Sequence, residues 1–236
     1  MKVMPIICFG LCWLLFTGAT AALAQANTSF TFNNLNLAIP DGDPNGVANS
    51  QNITGVSGSI ASIQISLDIA GTGYGAFNGD LYAELVDGSG GLAVLLNRVG
   101  ASSGNPAGYS DNGFAVTFDD AAANDVHFYQ SISYNLNSAG QLTGAWQPDG
   151  ENVSPLANPA TFDNARQNQT AMLSSFYGHN PNETWTLFLA DVSPGGTAQL
   201  VNWSITVTTV PEPGETRLFI GAMVCCAFIL RRRWVA

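Results

Sequence analysis

The chain has 236 residues, of which 46% are hydrophobic and only 10% charged, and its net charge is −10. Between residues 27 and 210 the only bases are Arg98 and Arg166 against fifteen acids, a surface that repels nucleic-acid backbones and anionic lipid and attracts cations. All four cysteines, Cys8, Cys12, Cys225 and Cys226, sit in the apolar ends, which excludes a disulfide framework for everything between them.

In chain order, Met1-Lys2 precedes an apolar run through Ile6, Ile7, Leu11, Leu14, Leu15 and Phe16, then Ala22-Leu23-Ala24-Gln25-Ala26. This predicts a secretory signal peptide over 1–26, with small residues that permit cleavage after Ala24 or Ala26. A lipid-anchored reading at Cys12 fails, because Trp13-Leu14-Leu15-Phe16 continues the apolar segment past it. Residues 27–209 are enough for one medium-sized domain with its own core.

Within that domain, Ser29 to Phe32, Leu35 to Ile39, Ile63 to Ile69 and Leu81 to Val86 alternate apolar and polar residues. Each reads as a strand with one face on a core and one in water. Phe114 to Phe118, Thr184 to Ala190 and Gln199 to Thr208 extend the pattern, and no segment carries a 3.6-residue period over three turns. Turn chemistry separates the strands at Asp41-Gly42-Asp43-Pro44-Asn45-Gly46, Asp87 to Gly91, Asp111-Asn112-Gly113 and Ser193 to Gly196. The expected class is all-β, a jelly roll or β-sandwich, with long loops or an insertion over 98–170 where the strand signal thins.

The tail, 210–236, carries Val210-Pro211-Glu212-Pro213, an uncharged stretch of thirteen residues from Leu218 to Leu230, and Arg231-Arg232-Arg233. A helix of that length reaches ~20 Å, short of the ~30 Å hydrocarbon core, so it predicts a short transmembrane helix suited to a transient stop. Pro211 and Pro213 keep the preceding chain extended and open to a protease, and the arginines hold the end in the cytoplasm.

Two resemblances add to this reading. Ala38-Ile39-Pro40-Asp41 with Gly46-Val47, Ile63 to Val86 with Asn78-Gly79-Asp80-Leu81, and Glu183 to Asp191 followed by Leu200 to Ile205 resemble blocks of the P domain (P/Homo B domain) of proprotein convertases. The match covers mainly 35–97 and 171–209, departs from the family at Gly75-Ala76-Phe77-Asn78, and implies a jelly-roll companion domain whose protease triad lies elsewhere. The tail resembles the PEP-CTERM sorting signal of Gram-negative bacteria. That resemblance implies recognition by an exosortase-type membrane enzyme, cutting near Val210 to Pro213, transient inner-membrane association, and delivery to the cell surface or an extracellular polysaccharide matrix.

The candidate chemistry is sparse. His127 and His179 are the only histidines, neither sits in a hydrolase motif, and both read as exposed loop residues. Ser89 lies in a glycine turn rather than a nucleophile elbow. Asp41, Asp43 and Asn45 place oxygens at alternate positions ahead of Gly46, the opening of a calcium loop, with Asn52 where an EF-hand has its glutamate. Asp80, Asp119, Asp120 and Asp191 are candidates to complete a Ca²⁺ site across loops. Two histidines without a usable cysteine argue against structural zinc. Trp185 and Trp203 fall in strand patterns and read as core, whereas Trp146, beside Gln147-Pro148, is the candidate sugar platform.

The sequence therefore predicts an exported, non-catalytic surface or matrix protein needing no cofactor beyond a structural Ca²⁺. The alternatives are a carbohydrate- or protein-binding accessory module associated with secreted proteolysis, and a hydrolase.

Overall fold

The computed structural model describes residues 25–210, and in it the alternating segments become ten strands. They are β1 (Ala26–Phe32), β2 (Leu37–Ile39), β3 (Asp43–Asn52), β4 (Ser59–Gly71), β5 (Leu81–Val86), β6 (Leu92–Asn97), β7 (Gly113–Phe118), β8 (Leu142–Trp146), β9 (Thr184–Asp191) and β10 (Ala198–Val210). Most of the predicted signal peptide, the sorting residues Pro211, Glu212 and Pro213, the apolar tail and Arg231 to Arg233 lie outside the described residues. Val210 closes β10 opposite Ser59. Among the described residues no helix is long and apolar enough to cross a membrane.

The strands form two sheets. One has the order β1-β10-β4-β7-β8, with β2 also on β10, and the other the order β3-β9-β5-β6. All pairings are antiparallel except β7 with β8. One continuous core lies between the sheets, built from Ile63, Ile65, Leu67 and Ile69 of β4, Phe114 and Phe118 of β7, Leu187 and Leu189 of β9, and their neighbours. The molecule is mostly β and built as a two-layer sandwich.

β4 and β10 show how register follows from the side chains. In β10 the buried positions are Ala198 and Leu200, then Trp203, Ile205, Val207 and Thr209, so the period-two phase flips once. The flip coincides with a β-bulge between Leu200 and Asn202, where an extra residue on one strand restores the apolar face to the core. A second bulge, between Thr208 and Thr209, lets both Ile60 and Ile63 of β4 turn inward despite their odd spacing. Each such buried aliphatic chain contributes roughly 1.5–3 kcal/mol.

The outer face of the second sheet is also partly covered. Tyr82, Val94, Ala171 and Ala190 form a smaller cluster there, so β6 is buried on both sides. The middle section, expected as loops, instead supplies β8 and two short 3₁₀ turns, Val126–Ser131 and Pro159–Gln167, in addition to the predicted β7, and a third turn, Leu173–Phe176, follows it.

Two tyrosines are locked into this scaffold by carboxylates. Tyr129 donates to Asp111 Oδ2 at 2.7 Å and accepts from Asn78 Nδ2 at 3.2 Å, and Tyr82 donates to Glu84 Oε2 at 2.5 Å. Burial first, and the neighbouring carboxylates second, push both phenols far above the ordinary value of about 10. Because the folded value is the raised one, their stabilisation is complete below pH ~10 and is lost as pH rises beyond it. The expected result is a urea midpoint that falls steeply above pH ~10, with the 295 nm tyrosinate signal of both residues appearing only on unfolding. Full ionisation of all tyrosines in a folded protein at pH 11 would contradict it.

Candidate functional site

Asp41, Asp80 and Asp191 converge at one end of the sandwich, from three distant parts of the sequence. Asp41 lies in the turn between β2 and β3, Asp80 ends the 3₁₀ turn Asn78–Asp80 that leads into β5, and Asp191 ends β9. Pairing of Leu81 and of Asp43 with Asp191 brings the three strand ends together. The loop after β9 then stitches them: Ser193 N–H donates to Asp191 Oδ1 at 3.3 Å, Gly195 N–H to Asp41 Oδ1 at 3.0 Å, and Val192 N–H to the Asp80 carbonyl at 2.9 Å.

This end carries a local excess of negative charge. Asp191 is 0% exposed, and its Oδ2 has no hydrogen-bond donor among the described residues. Burial raises its carboxyl to about 7, reinforced by the charges of Asp80 and Asp41 and opposed by the backbone N–H groups of Ser193 and Gly42. Asp80 is raised as well, by burial foremost, with Ser193 and Arg98 pulling it back. Positive charge brought to this end would relieve both effects.

Of the predicted calcium triad, only Asp41 joins this group. Asp43 is the first residue of β3, and its Oδ1 is taken by the backbone and side-chain N–H groups of Asn45, both at 2.9 Å. Asp43 and Asn45 therefore satisfy each other in a local turn. Asp119 and Asp120 act elsewhere: Asp119 bonds Gln64 Nε2 at 2.6 Å, and Asp120 accepts from the N–H groups of Leu173 and Ser174.

Trp146 is not a sugar platform in this structure. It is the last residue of β8, 5% exposed, with its ring edge-on to Tyr129 and its indole N–H bonded to the Thr143 carbonyl at 3.0 Å. A ring buried this way has no free face on which a sugar could stack. The most exposed aromatic among the described residues is Tyr74, which is 98% accessible. It stands at a cleft of about 570 Å³ that also takes in Asp80, Arg98 and Pro194. Arg98 Nη2 donates to the Pro106 carbonyl at 2.7 Å, which fixes a cationic group beside Asp80. Sequence reasoning missed Tyr74 and Arg98, since neither belongs to a motif.

The histidines also differ from expectation. His127 is 1% exposed and lies against Asp149, while His179 Nδ1 is 2.5 Å from Asp87 Oδ2. Ser89 Oγ donates to Glu183 Oε2 at 3.0 Å, so that hydroxyl is held by a carboxylate rather than activated by an imidazole. Trp185 and Trp203 are fully buried, as the strand patterns imply.

No family model matches the chain, and no curated protein matches it. Among solved structures, it is similar to a serine protease of Aeromonas sobria in complex with the chaperone ORF2, at 14% identity and a TM-score of 0.42. The same protease alone gives 14% identity and a TM-score of 0.38. Both alignments cover 79% of this chain and 27% of the protease, so the chain spans about a quarter of its neighbours' length.

Proposed function

We propose that the chain is an exported, non-catalytic surface or extracellular-matrix protein, sorted by an exosortase through its tail, whose P-domain-like jelly roll serves a structural and binding role. The observation that carries the binding role is the convergence of Asp41, Asp80 and Asp191 in loops at one end of the sandwich, next to the cleft that Tyr74 and Arg98 flank. Three carboxylates, one of them buried with an unpartnered oxygen, concentrate negative charge at this end and draw a hard cation such as Ca²⁺ toward it.

Added Ca²⁺ is expected to raise the melting temperature of the purified protein by several degrees, corresponding to about 2–3 kcal/mol at a hundredfold excess over Kd. Asp41→Ala and Asp191→Asn abolish the shift, while Asp43→Ala retains most of it. Identical melting curves in chelator and in calcium would remove the cation from the proposal. The sorting half has its own test, mass spectrometry of the protein recovered from its native host, where a C-terminus near Glu212 supports processing and an intact Ala236 opposes it.

The cleft favours a second reading, a carbohydrate-binding accessory module. An exposed tyrosine beside an arginine and an acid offers stacking and hydrogen bonds to an oligosaccharide. Glycan-array binding that is lost in Tyr74→Ala would support it, and binding unaffected by that change would place the ligand elsewhere.

A further inference from the structure

On the outer side of the second sheet, where Asn97 pairs with Tyr82, the middle section buries a polar group that neither the core nor the proposed function uses. His127 comes from the 3₁₀ turn Val126–Ser131, Asp149 and Glu151 from the segment after β8, and Asn97 from the end of β6. The segment is held against β6 by Asp149 N–H to the Leu95 carbonyl at 3.1 Å and Gly150 N–H to the Val94 carbonyl at 2.9 Å. Asn97 closes it from the other side: its amide donates to the Glu151 and Val153 carbonyls at 3.1 and 3.0 Å, and its backbone N–H to Asp149 Oδ2 at 3.2 Å. Asn97, Asp149 and Glu151 are 0% exposed, and His127 is 1% exposed.

The hydrogen bonding does not close. Asn97 Oδ1, Asp149 Oδ1 and both carboxylate oxygens of Glu151 are inaccessible to solvent and have no donor among the described residues. Each orphaned acceptor costs ~1–3 kcal/mol, and more where it is charged. His127 Nε2 faces the Ala101 carbonyl at 3.1 Å, a group that can only accept, so the ring proton belongs there. His127 Nδ1 faces Asp149 Oδ2 at 2.9 Å and Glu151 Oε2 at 3.7 Å. A proton on Nδ1 answers the Asp149 contact alone, whereas a divalent cation held there would also answer the Asn97, Asp149 and Glu151 oxygens that lack a donor.

We propose that His127 Nδ1, Asp149, Glu151 and the Asn97 carbonyl oxygen form a divalent transition-metal site of the Zn²⁺ or Mn²⁺ class. The ligand atoms of the three titratable residues all lie within 4.8 Å of one another. Bonds of about 2.1 Å to one ion place neighbouring ligands about 3–3.5 Å apart, the range spanned by the His127 contacts. The imidazole selects this class over Ca²⁺ and Mg²⁺, which take oxygen ligands. The Nε2–H bond to a backbone carbonyl is the outer contact that orients a ligating histidine. A groove of about 380 Å³, lined by Ser102, Tyr109, Phe128 and Phe162, reaches the imidazole from solvent.

The site ties four points of the chain, at 97, 127, 149 and 151, across the section with the fewest strands. In a domain without cysteines it takes the place of a disulfide staple. The proposal runs against the expectation from histidine and cysteine counts that structural zinc is disfavoured, because carboxylates and an amide would supply the remaining ligands.

The test uses the full chain, stripped with chelator and dialysed. Zn²⁺ or Mn²⁺ titrated by calorimetry should bind with a stoichiometry near one and raise the melting temperature. Co²⁺ should give d–d absorption with a nitrogen ligand's signature, a readout that needs no variant. Glu151→Gln and Asp149→Asn, which keep shape, should weaken binding at least about tenfold, while Asp41→Ala leaves it unchanged and so separates this site from the aspartate end. Absence of stoichiometric binding by the wild type, or equal binding by the two amide variants, would overturn the proposal and leave the cluster held by shared protons.

Discussion

Trp203→Ala is expected to lower the unfolding free energy by about 3–5 kcal/mol, enough to leave much of the population unfolded near physiological temperature. Trp203 is fully buried on β10, packs against Phe32 at 4.7 Å between ring centroids, and donates its indole N–H to Asn49 Oδ1 at 2.9 Å. Asn49 belongs to β3 in the opposite sheet, so one side chain both fills the core and bonds across the two layers. Alanine removes the ring and the donor together and leaves a cavity that two hydrogen-bonded sheets cannot collapse. Trp203→Phe keeps most of the volume, loses the indole bond, and should cost about 1–2 kcal/mol. Urea denaturation of the three proteins measures both differences. A Trp203→Ala loss below about 1 kcal/mol would mean that the layers are not coupled through this residue.

Gly46→Ala should cost at least about 2 kcal/mol, from a single methyl group. Gly46 has φ = +53°, in the left-handed region, and sits at the register shift between the Asp43–Asp191 and Val47–Leu189 pairs. A Cβ there would fall inside the contact radius of the Leu189 carbonyl oxygen and within 2.8 Å of the Phe188 ring. The strand must therefore give up the bulge, and the bulge is what carries β3 into the turn that holds Asp41. The same variant should weaken the Ca²⁺-dependent rise in melting temperature, because Asp41 loses its fixed position relative to Asp191. Denaturation midpoints with and without calcium read both consequences. Unfolding within about 0.5 kcal/mol of wild type would show that the β3 backbone adjusts freely.

Strands with one wet face were legible from the sequence. β4, β5, β7, β9 and β10 each alternate because one side meets the core, and the bulges in β10 interrupt the pattern only once over most of its length. β6 was missed for a physical reason, since the middle section covers its outer face and every residue from Ala93 to Asn97 is buried, which erases the period. β3 is an edge strand of mostly polar residues, Asp43 to Asn52, and its composition is that of a turn. β8 pairs in parallel with β7 and exposes Gly144 and Ala145, so little but Leu142 and Trp146 marks it. That is why Trp146 read as a loop residue.

The sites divide along the same line. Asp41 was visible because its motif is local, and Asp80 and Asp191 were candidates whose meeting depends on three strand ends arriving together. His127 carried no local signal of burial. Its partner Asp149 lies 22 positions away. What encloses them is the packing of the middle section on β6, which composition does not encode.

The course of β10 also fixes which way the domain points. Its first residues pair with β2, next to the aspartate loops, and its last, Thr209 and Val210, lie beside the start of β1 and of β4. Thirteen extended residues separate these poles, a span of about 40 Å. Under the sorting proposed above the chain leaves the domain through Val210, so the aspartate loops occupy the pole opposite the point of attachment and are the part of the domain first offered to a partner approaching from that side.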